Sequence, residues 1–165
     1  QGEFSCGVLM DTKGLAVCDA SFVKNIRFST GMISIKGKFF FVSLETVRIS
    51  LDQKLALLKI DTSSLNTQIP VENALNIETI QTEKDNKNPI RLICLYREAD
   101  GSFKDAPGLL QKIPESPLQQ VSFSKPVSAL CLNLEGRLQG IYLPEKKELV
   151  GIKEILEFYG GSHDG

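Results

Sequence analysis

A chain of 165 residues suits one compact unit, or two small barrels sharing a core. Its 19 basic and 20 acidic side chains leave a formal charge of −1 with no dense run of either sign. There is then no field to steer phosphate or an anionic membrane, and nucleic acid is not expected as a partner. No apolar run approaches the roughly 20 residues of a spanning helix, so a membrane anchor is expected only outside this chain. The chain opens at Gln1 rather than Met, which leaves room for a signal or anchor segment already removed.

Two chemistries are disfavoured by residue type alone. The one histidine, His163, lies in the glycine-rich polar tail 160–165, where a mobile end is expected, so no imidazole base is available inside a fold. The four cysteines, Cys6, Cys18, Cys94 and Cys131, show no CxxC spacing. With a single histidine they offer no metal site, and no cofactor is expected. Each cysteine sits in an apolar, strand-like setting, so buried free thiols are the favoured reading. A two-residue turn at Thr12-Lys13 would set Gly7 against Cys18 and put Cys6 and Cys18 on opposite faces, which argues against a bridge between them. Cys94 and Cys131 remain able to meet in one barrel.

Taken in order, Gly7–Asp11 and Gly14–Cys18 form an apolar run, a polar turn and a second apolar run, the pattern of a hairpin. The stretch Asp19-Ala20-Ser21-Phe22-Val23 breaks strand alternation with a turn-like or helical segment. Strands resume at Ile26–Ser29 and Met32–Ile35, with Gly31 and Gly37 as the breaks on either side of the latter. Phe39–Leu44, Val47–Ser50 and Leu55–Ile60 follow, giving about seven short strands, enough to close a barrel. Phe39 and Phe41 share a face by strand period, and a barrel strand places such residues in the core more often than at a partner-binding edge.

The polar stretch from Asp61 to Asn88, with weak strands around Ile69 and Ile77–Ile80, reads as the connection between halves. A second barrel starts at Pro89–Tyr96. Leu109–Ile113, Val121–Phe123, Ser128–Leu134 and Arg137–Leu143 supply its further strands, with Pro114, Pro117 and Pro126 at strand ends. The pair Glu135-Gly136 supplies a hairpin turn. One helix is expected at Ile152–Tyr159, with Ile152, Ile155, Leu156 and Tyr159 on one face and Gly160 as the stop. The expected layout is an N-terminal barrel over 1–65, a connecting region over 66–88, a C-terminal barrel over 89–150, the helix over 151–160 and a tail over 161–165.

Three strings, in this order, resemble the protease domain of the HtrA/Deg family of trypsin-like serine proteases. Cys18-Asp19-Ala20-Ser21-Phe22-Val23 after the first hairpin is similar to the family's Thr-Asn-Ala-His-Val-Val. Lys54-Leu55-Ala56-Leu57-Leu58-Lys59-Ile60 is similar to Asp-Leu-Ala-Val-Leu-Lys-Ile. The Asn133-Leu134-Glu135-Gly136 turn with Gly140-Ile141 is similar to the turn and strand that follow the family's Gly-Asn-Ser-Gly-Gly-Pro-Leu. The resemblance implies an all-β fold of two six-stranded trypsin-like β-barrels with a C-terminal helix. It also implies which positions would carry the triad: Ser21 for the base, Lys54 for the orienting carboxylate and Val127 for the nucleophile, with Lys125 at the first glycine.

None of these three residue types can fill its role. Ser21 is not basic near neutral pH, Lys54 would repel an imidazolium, and Val127 has no nucleophilic atom. Pro126 and the missing glycines at 125, 128 and 129 disfavour a tight oxyanion loop. A one-residue shift would make Ser128 the alternative nucleophile, still without a histidine. Asp52, two residues before Lys54, would have no imidazole to orient. The expectation is therefore a catalytically inactive domain, or pseudoprotease, that serves as a protein-binding, scaffolding or regulatory module, with oligomers possible. Relatives of this kind work in extracytoplasmic or organellar compartments, which the resemblance extends to this chain. The alternatives are an atypical hydrolase in which a desolvated Lys54 activates Ser21 or Ser128, and a small-ligand binder in the cleft between barrels.

Overall fold

The structure, a computed structural model, describes residues 5–65, 67–74, 89–112 and 119–161. Two units are described separately: an N-terminal one of residues 7–76 with 158–165, and a C-terminal one of residues 1–6 with 77–157.

In the N-terminal unit, strands β1 (Gly7–Leu9), β2 (Leu15–Asp19), β3 (Phe28–Ile35), β4 (Lys38–Ile49) and β5 (Leu55–Ile60) pair in the order β1-β2-β5-β4-β3. Gly7 lies opposite Cys18, the register that the Thr12-Lys13 turn dictates. The turn is held by one carboxylate. Asp11 Oδ1 accepts the N–H groups of Lys13, Gly14 and Leu15 at 2.9, 3.0 and 3.1 Å, while Oδ2 accepts the Tyr159 hydroxyl at 2.8 Å. Partial burial opposes ionisation of Asp11, but the hydrogen bonds from Leu15, Tyr159, Lys13 and Gly14 prevail and hold its carboxyl below the usual range. Since the folded group is the stronger acid, its contribution is complete above the unfolded value near pH 4 and is lost as the pH falls through the folded value. Asp11→Asn is expected to lower stability by about 1 kcal/mol at pH 7, with the gap to wild type closing in urea titrations below about pH 3. An unchanged gap there would contradict the assignment.

The core of this sheet gathers Cys18, Ala20, Val23, Ala56 and Leu58, with Phe22, Leu44 and Ile49 against them. Fewer strands form than the sequence suggests, because two pairs of short runs merge. Gly31 is not a break. It sits inside β3 opposite Val42, and a Cβ placed on it would lie 2.7 Å from Leu44 Cδ1, so the leucine uses the space a side chain would take. The runs Phe39–Leu44 and Val47–Ser50 likewise belong largely to one strand, β4, with an irregularity between Thr46 and Arg48. Among the described residues the unit is therefore a five-stranded sheet, a half-barrel, and not a closed six-stranded barrel. The break at Gly37 is real: Lys36 and Gly37, with φ of 51° and 80°, form the β3–β4 turn.

Phe39 and Phe41 do share a face, but not the core face. They are 63% and 76% exposed, while Val42 on the opposite face is buried. Strand period fixes which residues lie together; it does not say which side the protein covers.

In the C-terminal unit, β6 (Ile90–Arg97), β7 (Phe103–Lys112), β8 (Gln119–Ser122), β9 (Ala129–Asn133), β10 (Leu138–Leu143) and β11 (Glu148–Gly151) close a barrel in the order β10-β11-β8-β7-β6-β9. Its interior holds Leu92, Cys94, Tyr96, Leu110, Val121, Ala129, Cys131, Tyr142 and Leu149. β7 starts six residues earlier than Leu109 and contains Pro107. Its pairing with β8 begins only at Leu109, so at the proline the strand is paired with β6 alone. The β9–β10 hairpin turns on Asn133, whose Oδ1 accepts the N–H groups of Glu135 and Arg137 at 3.0 and 2.9 Å, with Gly136 at φ 83°. The helix α1 (Ile152–Gly160) follows, with Ile155 fully buried.

All four cysteines are free and buried. Cys94 and Cys131 do meet, directly opposite each other on β6 and β9 with their sulfurs 3.7 Å apart. Their shared hydrogen bond lowers the first thiol's pKa and, with burial, pushes the second far up; burial alone raises Cys6 to about 11, and burial with the charge of Asp19 raises Cys18 to about 12. Ile69 is buried without forming a strand. The expected strand at Ile77–Ile80, Ile113 of the expected strand Leu109–Ile113, and His163 lie outside the described residues.

Candidate functional site

Ser21 lies on a 3-10 turn, Ala20–Phe22, that follows β2. Asp19 caps this turn: its Oδ1 accepts the Ser21 N–H at 3.0 Å and the Ser21 hydroxyl at 2.9 Å. The exposed hydroxyl thus hydrogen-bonds to a carboxylate that is itself buried, and a serine so placed is bonded within its own turn.

Lys54 immediately precedes β5 and ends a tight turn. Ser50 Oγ accepts the N–H groups of Lys54 and Leu55 at 3.2 and 3.0 Å and donates to Asp52 Oδ1 at 2.6 Å, while Asp52 Oδ1 also accepts the Lys54 N–H at 3.1 Å. The Ser50 bond, followed by the Lys54 N–H and the Lys54 charge, holds the Asp52 carboxyl below its usual range. Asp52 is therefore occupied in closing the turn.

The structure brings Ser21 and Lys54 together at one end of the sheet. Asp19 pairs with Leu55, and the Ala20 N–H donates to the Lys54 carbonyl at 3.0 Å. The two residues are neighbours because β2 and β5 are neighbours, a pairing that local sequence does not announce.

Val127 belongs to the C-terminal unit and has a different character. The segment 123–128 connects β8 to β9. Phe123 stands edge-on between Tyr96 and Tyr142, with ring centroids 5.6 and 5.4 Å away at 66° and 86°. Half-buried Val127 packs against the same interior. Lys125 Nζ lies 6.0 Å from the Tyr96 ring centre, and Ser128 is buried. No residue from Ser124 to Ser128 has a positive φ, as Pro126 and β-branched Val127 require. The segment packs against the barrel interior through Phe123 and Val127. Its packing role was not visible in the sequence, although Phe123 and Val127 at i and i+4 around Pro126 were the available signal.

The C-terminal barrel also carries an open groove of about 1220 Å³ on its wall, bordered by Arg91, Ile93, Pro107, Leu109, Leu134 and Lys147. None of Ser21, Lys54, Val127 and Ser128 lines it. Among the described residues no group of three or more His, Cys, Asp or Glu is placed to hold a metal ion.

No protein-family model matches the sequence, and no curated protein matches it. Solved structures do. The MamO protease domain from Magnetospirillum magneticum in its apo form superposes with a TM-score of 0.68 at 18% identity, covering 92% of this chain and 86% of that one. Deg5 gives a TM-score of 0.72 at 16% identity, covering 92% and 79%. The serine endoprotease from Yersinia pestis gives 0.57 at 18% identity over 88% of this chain, which spans half of that protein. These structures are trypsin-like protease domains of the HtrA/Deg type. At such identities the likeness is one of fold: the chain has a trypsin-like fold, with a closed six-stranded barrel, a half-barrel sheet and a C-terminal helix.

Proposed function

We propose that this chain is a catalytically silent trypsin-fold domain that acts by binding another protein, as a scaffold or regulator. The observation that carries the reading is the replacement of chemistry by structure at the triad positions the sequence motifs mark out. Val127 packs, half-buried, against a barrel core, and the Ser21 hydroxyl donates to the cap of its own turn. A serine protease needs a base to take the nucleophile's proton, and neither a valine nor a serine bonded to its own cap supplies that base. An extracytoplasmic or organellar setting and protein partners follow from the same reading.

A second reading has one observation in its favour, the closeness of Lys54 to the Ser21 turn. A lysine that lost its proton there would make a serine-lysine hydrolase. Digestion of β-casein separates the two. The binding module leaves the substrate intact; degradation that disappears in Ser21→Ala and in Lys54→Met establishes the hydrolase instead.

A further inference from the structure

The outer face of the β3–β4 hairpin is an apolar surface in a segment of net positive charge. Phe28, Phe39 and Phe41 are 63%, 63% and 76% exposed. Cross-strand register places them on one face with half-buried Met32, since Phe41 pairs with Met32, Phe39 with Ser34 and Phe28 with Glu45. Isolated exposed apolar residues need no explanation, but three phenylalanines on one face of one hairpin form a patch.

The charge is as uneven as the polarity. Residues 24–45 hold Lys24, Arg27, Lys36 and Lys38 against Glu45 alone, a net +3 on a chain of net −1, so the remainder carries −4. Glu45 is already engaged with Arg27 at 3.2 Å, and that guanidinium also lies 5.0 Å from the Phe28 ring centre. Lys24, Lys36 and Lys38 form no ion pair among the described residues.

We infer that this face docks a protein segment that presents apolar side chains flanked by carboxylates. Protein is favoured over a bilayer because Thr30, Ser34 and Ser43 share the face with the phenylalanines. In hydrocarbon each hydroxyl would lose water without a new partner, whereas a polypeptide supplies backbone and side-chain partners. Phe, Met and Arg are also among the residues enriched at protein interfaces, and the chain has no Trp to anchor at a lipid headgroup. The lysines at the tip favour an acidic partner and speed its encounter.

The inference rests on the binding-module reading, and its test is separable from the test of that reading. The probe is a fluorescein-labelled, acetylated peptide alternating Glu with Leu and Phe, compared with a counterpart carrying Lys for every Glu. The whole chain should bind the acidic peptide in fluorescence anisotropy and not the basic one. Phe39→Ser/Phe41→Ser and Lys36→Glu/Lys38→Glu should each weaken binding about tenfold or more, with the urea midpoint retained because these side chains are exposed. Phe103→Ser, an exposed apolar position on the C-terminal barrel, should change nothing.

Absence of binding, or binding indifferent to the hairpin variants, overturns the assignment. So does Phe-dependent capture by phosphatidylcholine vesicles containing roughly one third phosphatidylserine, or Phe-dependent self-association in sedimentation velocity. In each of those cases intact β-casein would leave the inactive-domain reading standing, while serine-dependent digestion would remove that reading and leave the peptide result to be judged by itself.

Discussion

Gly140→Ala is expected to lower stability by about 3 kcal/mol, at the upper end of overpacking effects. Gly140 lies opposite Gly151 on β11 and opposite Cys131 on β9, just after the irregularity that separates it from Leu138. A Cβ at this position would stand 2.2 Å from the Val150 carbonyl oxygen and 3.0 Å from Leu149 Cγ. The obstacle is backbone, so it yields only if β10 and β11 separate, and those two strands are part of the barrel's closure. Gly136→Ala is the control. No atom lies within 4 Å of its added Cβ, and the cost comes only from its φ of 83°, about 1 kcal/mol. Urea unfolding followed by tyrosine fluorescence reads both, since Tyr96 and Tyr142 lie inside this barrel and the chain has no tryptophan. Equal midpoints for the two variants would contradict the packing described.

Phe123→Ala is expected to cost about 2–3 kcal/mol, less than a fully buried phenylalanine because Phe123 is only half-buried. It removes two edge-on aromatic contacts at once, to Tyr96 and Tyr142, in the cluster against which Val127 also packs. Val127→Ser belongs beside it. A hydroxyl at this position should weaken that packing by about 1–2 kcal/mol and create no hydrolytic activity, because a nucleophile without a base remains inert. Stability unchanged in Phe123→Ala would show that segment 123–128 is a surface loop and that Val127 is not held by the core.

Features set by local chemistry are legible in the amino-acid sequence alone. The Asn133–Gly136 turn, the Asp11–Gly14 turn and the α1 helix each follow from a few adjacent residues whose side chains bond or pack within their own segment. Features set by distant residues are not. Gly31 reads as a strand break until Leu44 is known to occupy its side-chain space, and β4 reads as two strands until β3 and β5 are seen to pair with it on either side. Strand alternation places Phe39 and Phe41 together correctly but on the wrong side, since it carries no information about what lies over a face. At the candidate site, Ser21, Lys54 and Val127 are the positions that the motif resemblance implies. Asp19, the acceptor for Ser21, stands two residues away in the chain, whereas the cluster against which Val127 packs is drawn from all six strands of the barrel.

The central claim, that this trypsin-like fold carries no working nucleophile, is tested most directly by intact mass spectrometry after incubation of the purified chain with a serine-reactive fluorophosphonate. The account predicts an unmodified mass for the wild type, and the same for Ser21→Ala, Ser128→Ala and Val127→Ser. A single stoichiometric adduct on the wild type, lost in Ser21→Ala or in Ser128→Ala, would contradict it.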